Sequence, residues 1–374
     1  VVIGKGFKLK VFYDNNELPL DNNLYASFKL YEILHYGIYY GELKILNITS
    51  VWKEFPMLSG AKIKIKIEQE ENVEKTYKFI LYEPVIDDRY LTLVLLPEVF
   101  EKIGKDKKTK SFNNQIQNII KQIATSAGIT QFDIDTTRIP SGKFLQLNKP
   151  DLYFMLDLVS KASGNNSNFI FFIDKENKLK FYSIGYLKNK QPVLVISDEL
   201  IKDLKIDDKS LSYQINSGFG ATGFYFDWDS GDMKKYEFDQ SKFNQVNKSN
   251  TISDKLGVMK EYINVNNSIL MLDPIGKNVY RDELYNKASI ENVVLRKNYF
   301  NIFLSFKTYG SLKCTPAEIV QFYLRSLTKD SFNKLYSGKW LVYSVKHVFQ
   351  IEGYNMNVVL TNSSFYNVNN KNII

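Results

Sequence analysis

The chain has 374 residues, 44% hydrophobic and 14% aromatic, with a net charge of +8. This length suits two to four domains; one cysteine, Cys314, excludes an internal disulfide, and two histidines, His35 and His347, leave little for a zinc site or an acid–base pair. No apolar run reaches the roughly 18 residues of a membrane span, and residues 1–6 lack the charged-then-apolar order of a secretion signal, so the expectation is a chain without membrane anchoring, folded in a reducing cytoplasm.

Twenty-five Tyr and 26 Phe, with abundant Ile, lean the composition towards strands. In chain order, alternation predicts strands over residues 7–13, 42–51, 62–67, 76–82 and 90–96, closed by Pro97, as in a barrel or sandwich. The run 62–67 places Lys62, Lys64 and Lys66 on one face and Ile63, Ile65 and Ile67 on the other. A solvated outer surface is the simplest reading of the lysine row, and a channel lining is the alternative. Residues 101–110 hold five lysines, two acids and a glycine, the composition of a linker or exposed loop.

The pattern then changes. Ile116, Ile119, Ile120 and Ile123 recur at helical spacing before Gly128. A second helix is predicted with Asn148 as cap, Pro150 in the first turn and Gly164 at its end, followed by a hairpin of 169–173 and 179–183. Further strands are predicted over 193–196, 210–215 and 223–226, a polar irregular stretch over 236–275, a helix over 281–294 and a strand over 299–308. Residues 315–327 carry conflicting signals. Thr315, Pro316 and Glu318 suit a helix start, whereas Val320, Phe322 and Leu324 share a strand face; strand is the reading adopted.

No catalytic motif stands out. The stretch 227–232 misplaces the glycine of a calcium loop and lacks its final glutamate, so it reads as a hairpin turn. Gly218, Gly220 and Gly223 have dinucleotide-loop spacing but lead into a strand-like Phe224-Tyr225-Phe226, where the fingerprint needs a helix. Cys314 lacks a nucleophile context and reads as a small buried residue. The positive charge is most simply for solubility, and no base-reading motif supports direct nucleic-acid recognition.

The last sixty residues carry the clearest signal. Residues 337–347 alternate, with Trp340, Val342, Ser344 and Lys346 on one expected face and Leu341, Tyr343, Val345 and His347 on the other; a turn at Glu352-Gly353 leads into a second alternating run. Through Gly338, Lys339, Trp340, Val342, Val345, His347, Tyr354 and Met356 this hairpin resembles the closing hairpin of phage baseplate hub proteins and of the hub half of VgrG-like type VI secretion spikes. The helix at 116–128, the helix and hairpin at 152–181, and the strand at 299–310 resemble further stretches of that family; Ala317-Glu318 stands where the family has Gly-Asp, which leaves the geometry of that turn open.

The resemblance implies a mainly β fold with α+β inserts: two tube-like antiparallel β-barrels and two smaller inserted domains. The expected boundaries are 1–101 for the first barrel, 102–190 for an α+β insert, 191–235 with 296–368 for the second barrel, and 236–295 for a small irregular insert. It also implies a structural hub in a homotrimer that joins a sixfold tail tube to a threefold central spike around the ejection channel. Its partners would be the spike, tail tube or distal tail protein and tape-measure protein, with DNA only in transit. The site of action would be the virion tail, assembled in the host cytoplasm, with no cofactor, metal or catalytic role. With no room for a spike after residue 370, the spike is expected to be a separate polypeptide. Alternatives are the hub-like part of a tail-tip protein from a non-contractile phage, or a tail protein that binds or cleaves cell-wall carbohydrate.

Overall fold

The computed structural model describes residues 2–3, 7–46, 57–69, 73–138, 141–164, 168–209, 220–238, 267–272, 283–325, 332–333 and 336–362. The first part contributes β1 (Val2–Ile3), β2 (Phe7–Tyr13), β3 (Asn16–Glu17), β4 (Tyr25–Ile33), β5 (Tyr39–Leu46), β6 (Lys62–Gln69), β7 (Val73–Ile86) and β8 (Tyr90–Pro97). Next come α1 (Phe100–Ile103), β9 (Lys107–Asn114), α2 (Ile116–Ser126), β10 (Gln131–Ile134), β11 (Gly142–Pro150), α3 (Asp151–Lys161), β12 (Phe169–Ile173), β13 (Lys178–Ser183) and α4 (Ile184–Lys188). The rest is β14 (Leu194–Ser197), β15 (Ile201–Asp208), β16 (Gly220–Asp227), β17 (Asp232–Phe238), β18 (Asn267–Met271), α5 (Glu283–Tyr299), β19 (Ile302–Tyr309), β20 (Ile319–Tyr323), β21 (Gly338–Gln350) and β22 (Gly353–Asn362). The fold is mainly β, as expected.

Fourteen strands form one sheet in the order β1-β2-β6-β7-β8-β5-β4-β21-β22-β19-β15, with β3 on β2 and with β20, carrying β14, on β21. Its pairs are antiparallel except for β14 with β20. Two-residue alternation drives it: Ile63, Ile65 and Ile67 of β6 and Leu91, Leu93 and Leu95 of β8 are all buried. Each such side chain contributes about 1.5–3 kcal/mol when fully buried. The sequence pattern missed β4, although Phe28 and Leu30 lie at the centre of the core. From Phe28 to Ile33 its burial alternates, but the buried Glu32 is charged and the outward Tyr31 and Ile33 are apolar, which hides the strand period.

The helical insert differs from expectation in three places. Residues 107–110, the end of the 101–110 stretch expected as linker or loop, belong to β9, which pairs with β11. β9 is polar and largely exposed, so it leaves no alternating apolar signal. Asn148 does not cap α3: it sits at φ 47° in β11, and the extended Pro150 precedes the first turn. The helix stops at Lys161, before Gly164. In the hairpin β12–β13 nearly every residue is buried on both faces, between α3 and the large sheet.

The strand expected over 223–226 as part of the second barrel lies elsewhere. It is within β16, which pairs with β17 and β18 in a separate three-stranded sheet. Ala221 packs there on Ile290 and Val294 of α5. A Cβ at Gly223 would stand 2.2 Å from Ile290 Cδ1, so the glycine permits close packing of helix on sheet. The strand expected over 210–215 lies outside the described residues, and β15 takes the sheet edge beside β19 instead.

The closing hairpin forms with the predicted turn, but its face assignment needs correction. A bulge between Val342 and Ser344 inserts Tyr343 and shifts the register against β22. Trp340, Val342, Val345, His347 and Phe349 are therefore all buried, rather than split between faces. Residues 319–323 are a strand, and the preceding Ala317 is fully buried at φ 64°. The turn thus keeps a left-handed geometry that favours glycine.

Replacing Ala317 by glycine relieves about 1–2 kcal/mol of left-handed strain and loses about 0.8 kcal/mol of methyl burial. The melting midpoint of Ala317→Gly should therefore equal or exceed that of the parent. Ala124→Gly, in the right-handed and equally buried α2, loses both helix propensity and burial and should melt several degrees lower. Equal losses at both sites in thermal denaturation would contradict the strain.

Candidate functional site

Two of the hairpin residues flagged by the sequence, His347 and Tyr354, meet in a buried polar cluster. β4 and β21 pair so that His347 lies opposite Leu30 and Val345 opposite Glu32, bringing Glu32 and His347 to the same interior face. Glu32 and His347 are fully buried, and Lys175, from the turn between β12 and β13, is 5% exposed. Lys175 Nζ donates to Glu32 Oε1 at 2.7 Å and to the Cys314 carbonyl at 3.1 Å. Thr315 Oγ1 donates to Glu32 Oε2 at 2.8 Å. His347 Nε2 stands 2.9 Å from Glu32 Oε1, and its Nδ1 is 2.7 Å from the Tyr354 hydroxyl.

Charge balance assigns the protons. Burial alone would raise the Glu32 carboxyl, but Lys175 and His347 outweigh it and bring it down to about 2. Burial, reinforced by the Lys175 charge, holds the His347 ring below the usual histidine range. Burial also keeps the Tyr354 phenol protonated. The ring is therefore neutral: Nε2–H donates to the carboxylate, and Nδ1 accepts from Tyr354. Carboxylate, imidazole and hydroxyl stand in the order of a proton relay, but Glu32 and His347 are sealed from solvent and no activated nucleophile adjoins them. Burial pushes the Cys314 thiol up to about 12, and Cys314 offers the cluster its carbonyl. The arrangement is a clamp between chain segments.

A second buried cation extends it. Lys180, 2% exposed, sits 2.7 Å from Glu318 and 3.4 Å from Asp174. Asp174 Oδ1 also accepts the backbone N–H groups of Glu176 and Lys178, which shape the turn. Above these groups lies an open cleft of about 760 Å³, lined by Lys75, Lys175, Lys180, Lys313, Glu318 and Tyr354 among others. The closing-hairpin pattern marks His347 and Tyr354, but Glu32 and Lys175 are far from them along the chain and lie in no motif, so the cluster itself is not legible in the sequence.

The lysine row lies apart from the cluster, on the solvent side of β6. Lys62 is 3.6 Å from Glu98, Lys66 is 2.8 Å from Glu74, and Lys64 lies 4.8 Å above the Phe12 ring. The face continues across the sheet, with Lys44 over Tyr90 and Lys346 over Tyr31. Of the hairpin residues, Gly338 at φ 141° and the exposed Lys339 begin β21, while Trp340, Val342, Val345 and Met356 fill the second core. Among the described residues no group of three or more His, Cys, Asp or Glu side chains is placed to hold a metal ion. Nor is any helix there long and apolar enough to cross a membrane.

No protein-family model matches the chain, and no curated protein matches it in sequence. Solved structures do match. The 43 kDa tail protein of prophage MuSo2 from Shewanella oneidensis aligns over 96% of this chain and 99% of its own, with 8% identity and a TM-score of 0.60. The fold is that of phage tail proteins. A tail protein from Neisseria meningitidis MC58 agrees over 97% of this chain and 98% of its own, at 10% identity and a TM-score of 0.61. An E. coli type VI secretion component, c3393, described as structurally similar to the T4 tail proteins gp27 and gp5, covers 95% of this chain and 76% of its own at 10% identity and a TM-score of 0.50.

Removing one partner of a buried pair strands the other charge, at a cost of about 3–5 kcal/mol. Lys175→Met should therefore lower the melting temperature sharply, and Glu32→Gln should do likewise. The double variant should recover part of the loss, since neither charge is then orphaned. Strictly additive losses in thermal denaturation would show that the two groups do not interact.

Proposed function

We propose that the chain is a hub protein of a phage tail, acting by binding rather than catalysis. Three chains close a ring that matches a sixfold tail tube to a threefold spike. The observation that carries this reading is β21. One of its edges pairs with β20 over Gly338–Phe322 and neighbouring positions, then with β4 from Ser344 to Phe349, while its other edge follows β22. One strand therefore joins two halves of the sheet, each with its own core. Two similar tube-forming halves per chain in a threefold ring supply six positions for a tube. The halves correspond to residues 1–101 and to a discontinuous unit of 191–209 and 302–362, with 102–190 and 220–299 as inserts.

The fold likeness to tail proteins over nearly the whole chain supports the virion tail as the place of action. The partners proposed are a spike, a tube or distal tail protein and a tape-measure chain, with DNA passing through. Among the described residues the main path of the sheet ends at β1 and β15, edges that neighbouring subunits would cover. The purified chain, alone or with its spike, should show a trimeric mass by light scattering. A monomer under both conditions, at high concentration, would refute the ring.

Within that ring the solvent face bearing Lys62, Lys64 and Lys66 is proposed to border the lumen. Its partial pairing with Glu98 and Glu74 keeps phosphate attraction weak, which suits passage over retention. Changing all three lysines to glutamine should leave assembly intact and lower DNA delivery by reconstituted particles. Unchanged delivery would return these lysines to the outer surface.

A further inference from the structure

The buried cluster brings a titratable ring to the place where separate stretches of chain meet. β4 supplies Glu32, the β12–β13 turn supplies Lys175, β21 supplies His347, and the loop before β20 supplies Thr315. The geometry points to a proton-operated latch: protonation of His347 weakens the hold of Glu32 on Lys175 and lets the β12–β13 turn lift from the large sheet. This inference is independent of the oligomeric state and of the proposed hub role.

Glu32 Oε1 is shared between Lys175 Nζ and His347 Nε2. With a neutral ring, the carboxylate and the ammonium cancel. A proton entering the ring must go on Nδ1, which now accepts from Tyr354. That hydrogen bond then has two donors facing one another unless the phenol turns, and the sealed site gains a positive charge beside Lys175. Lifting the turn takes Lys175 and the ring into water and removes both penalties.

Other groups around the ring do not reproduce the effect. Thr315 and the Cys314 carbonyl do not titrate in this range. Burial keeps the Tyr39, Tyr77 and Tyr354 phenols protonated. Asp174, which faces Lys180, has its carboxyl raised by burial, so acid favours its closed state. Lys180 is neutralised by Glu318. His35 is the group to control for: it contacts Tyr343 at 3.0 Å and lies two residues from Gly37, whose carbonyl accepts the Ile173 N–H.

The sign follows from linkage. Because the closed state disfavours the protonated ring, closure is fully stable above the ordinary histidine range and weakens as pH falls below it. The open fraction then rises by about tenfold per pH unit, until the closed-state ring itself titrates. Hydrogen exchange at the amide of Ile173, which donates to the Gly37 carbonyl at 2.9 Å across to the large sheet, reads that opening.

The experiment compares protection of the Ile173 amide in the full chain at pH 7.5 and 5.5, after correction for intrinsic exchange. Wild type and His35→Gln should each lose about tenfold, and His347→Gln should lose nothing. In Lys175→Met, His347 is the sole cation available to Glu32, so protection should rise on acidification. Unchanged protection in wild type, or an equal loss in His347→Gln, overturns the latch. Should His347→Gln fail to fold, a loss on acidification in Lys175→Met overturns it equally.

Discussion

Three parts of the chain, the hairpin β12–β13, the closing hairpin and the loop before β20, meet β4 at one carboxylate that has no access to water, Glu32. Glu32 is charged and fully buried, and desolvating a carboxylate costs several kcal/mol unless its oxygens are well satisfied. Here one oxygen takes Lys175 and His347, and the other takes Thr315. The donors come from the helical insert, the closing hairpin and the loop before β20. Satisfying Glu32 therefore requires all of them to be in place together, and the ion pair fixes their relative position more than it adds net stability.

The second constraint is the long strand β21. It must pair first with β20 and then with β4, and a straight alternating strand would turn its buried side chains outward between the two cores. The extra residue at Tyr343 corrects that, so that Trp340 and Val342 enter one core and Phe349 the other. Tyr25 reinforces the junction by donating its hydroxyl to the Phe349 carbonyl at 2.6 Å. Bulge and buried cluster adjoin, so the place where the two halves of the sheet join is also where the insert is held.

The solvent face of the same sheet obeys different chemistry. Lysines there are offset by nearby glutamates or lie over aromatic rings, as Lys29 does with Glu42 and Lys346 with Tyr31. Such exposed pairs contribute little stability. Their effect is to keep a broad strand surface charged and soluble while moderating its attraction for polyanions.

Alternation by itself determined much of the architecture: β2, β6, β8, β19 and the closing hairpin, because their apolar residues fall two apart and one face is buried. The amphipathic repeat of α2 was legible for the same reason. Where a bulge shifted the period, as at Tyr343, the pattern misled, since adding one residue moves all later side chains to the opposite face. The largely polar ribbon β9–β11 left only a faint apolar trace, in Phe112 and Phe144, and the sheet of β16 packs on Ile290, distant in sequence. The hairpin motif marked His347 as notable but not its role. Only the tertiary structure decided that, because burial and the meeting of His347 with Glu32 and Lys175 are set by chain crossings that no local spacing records.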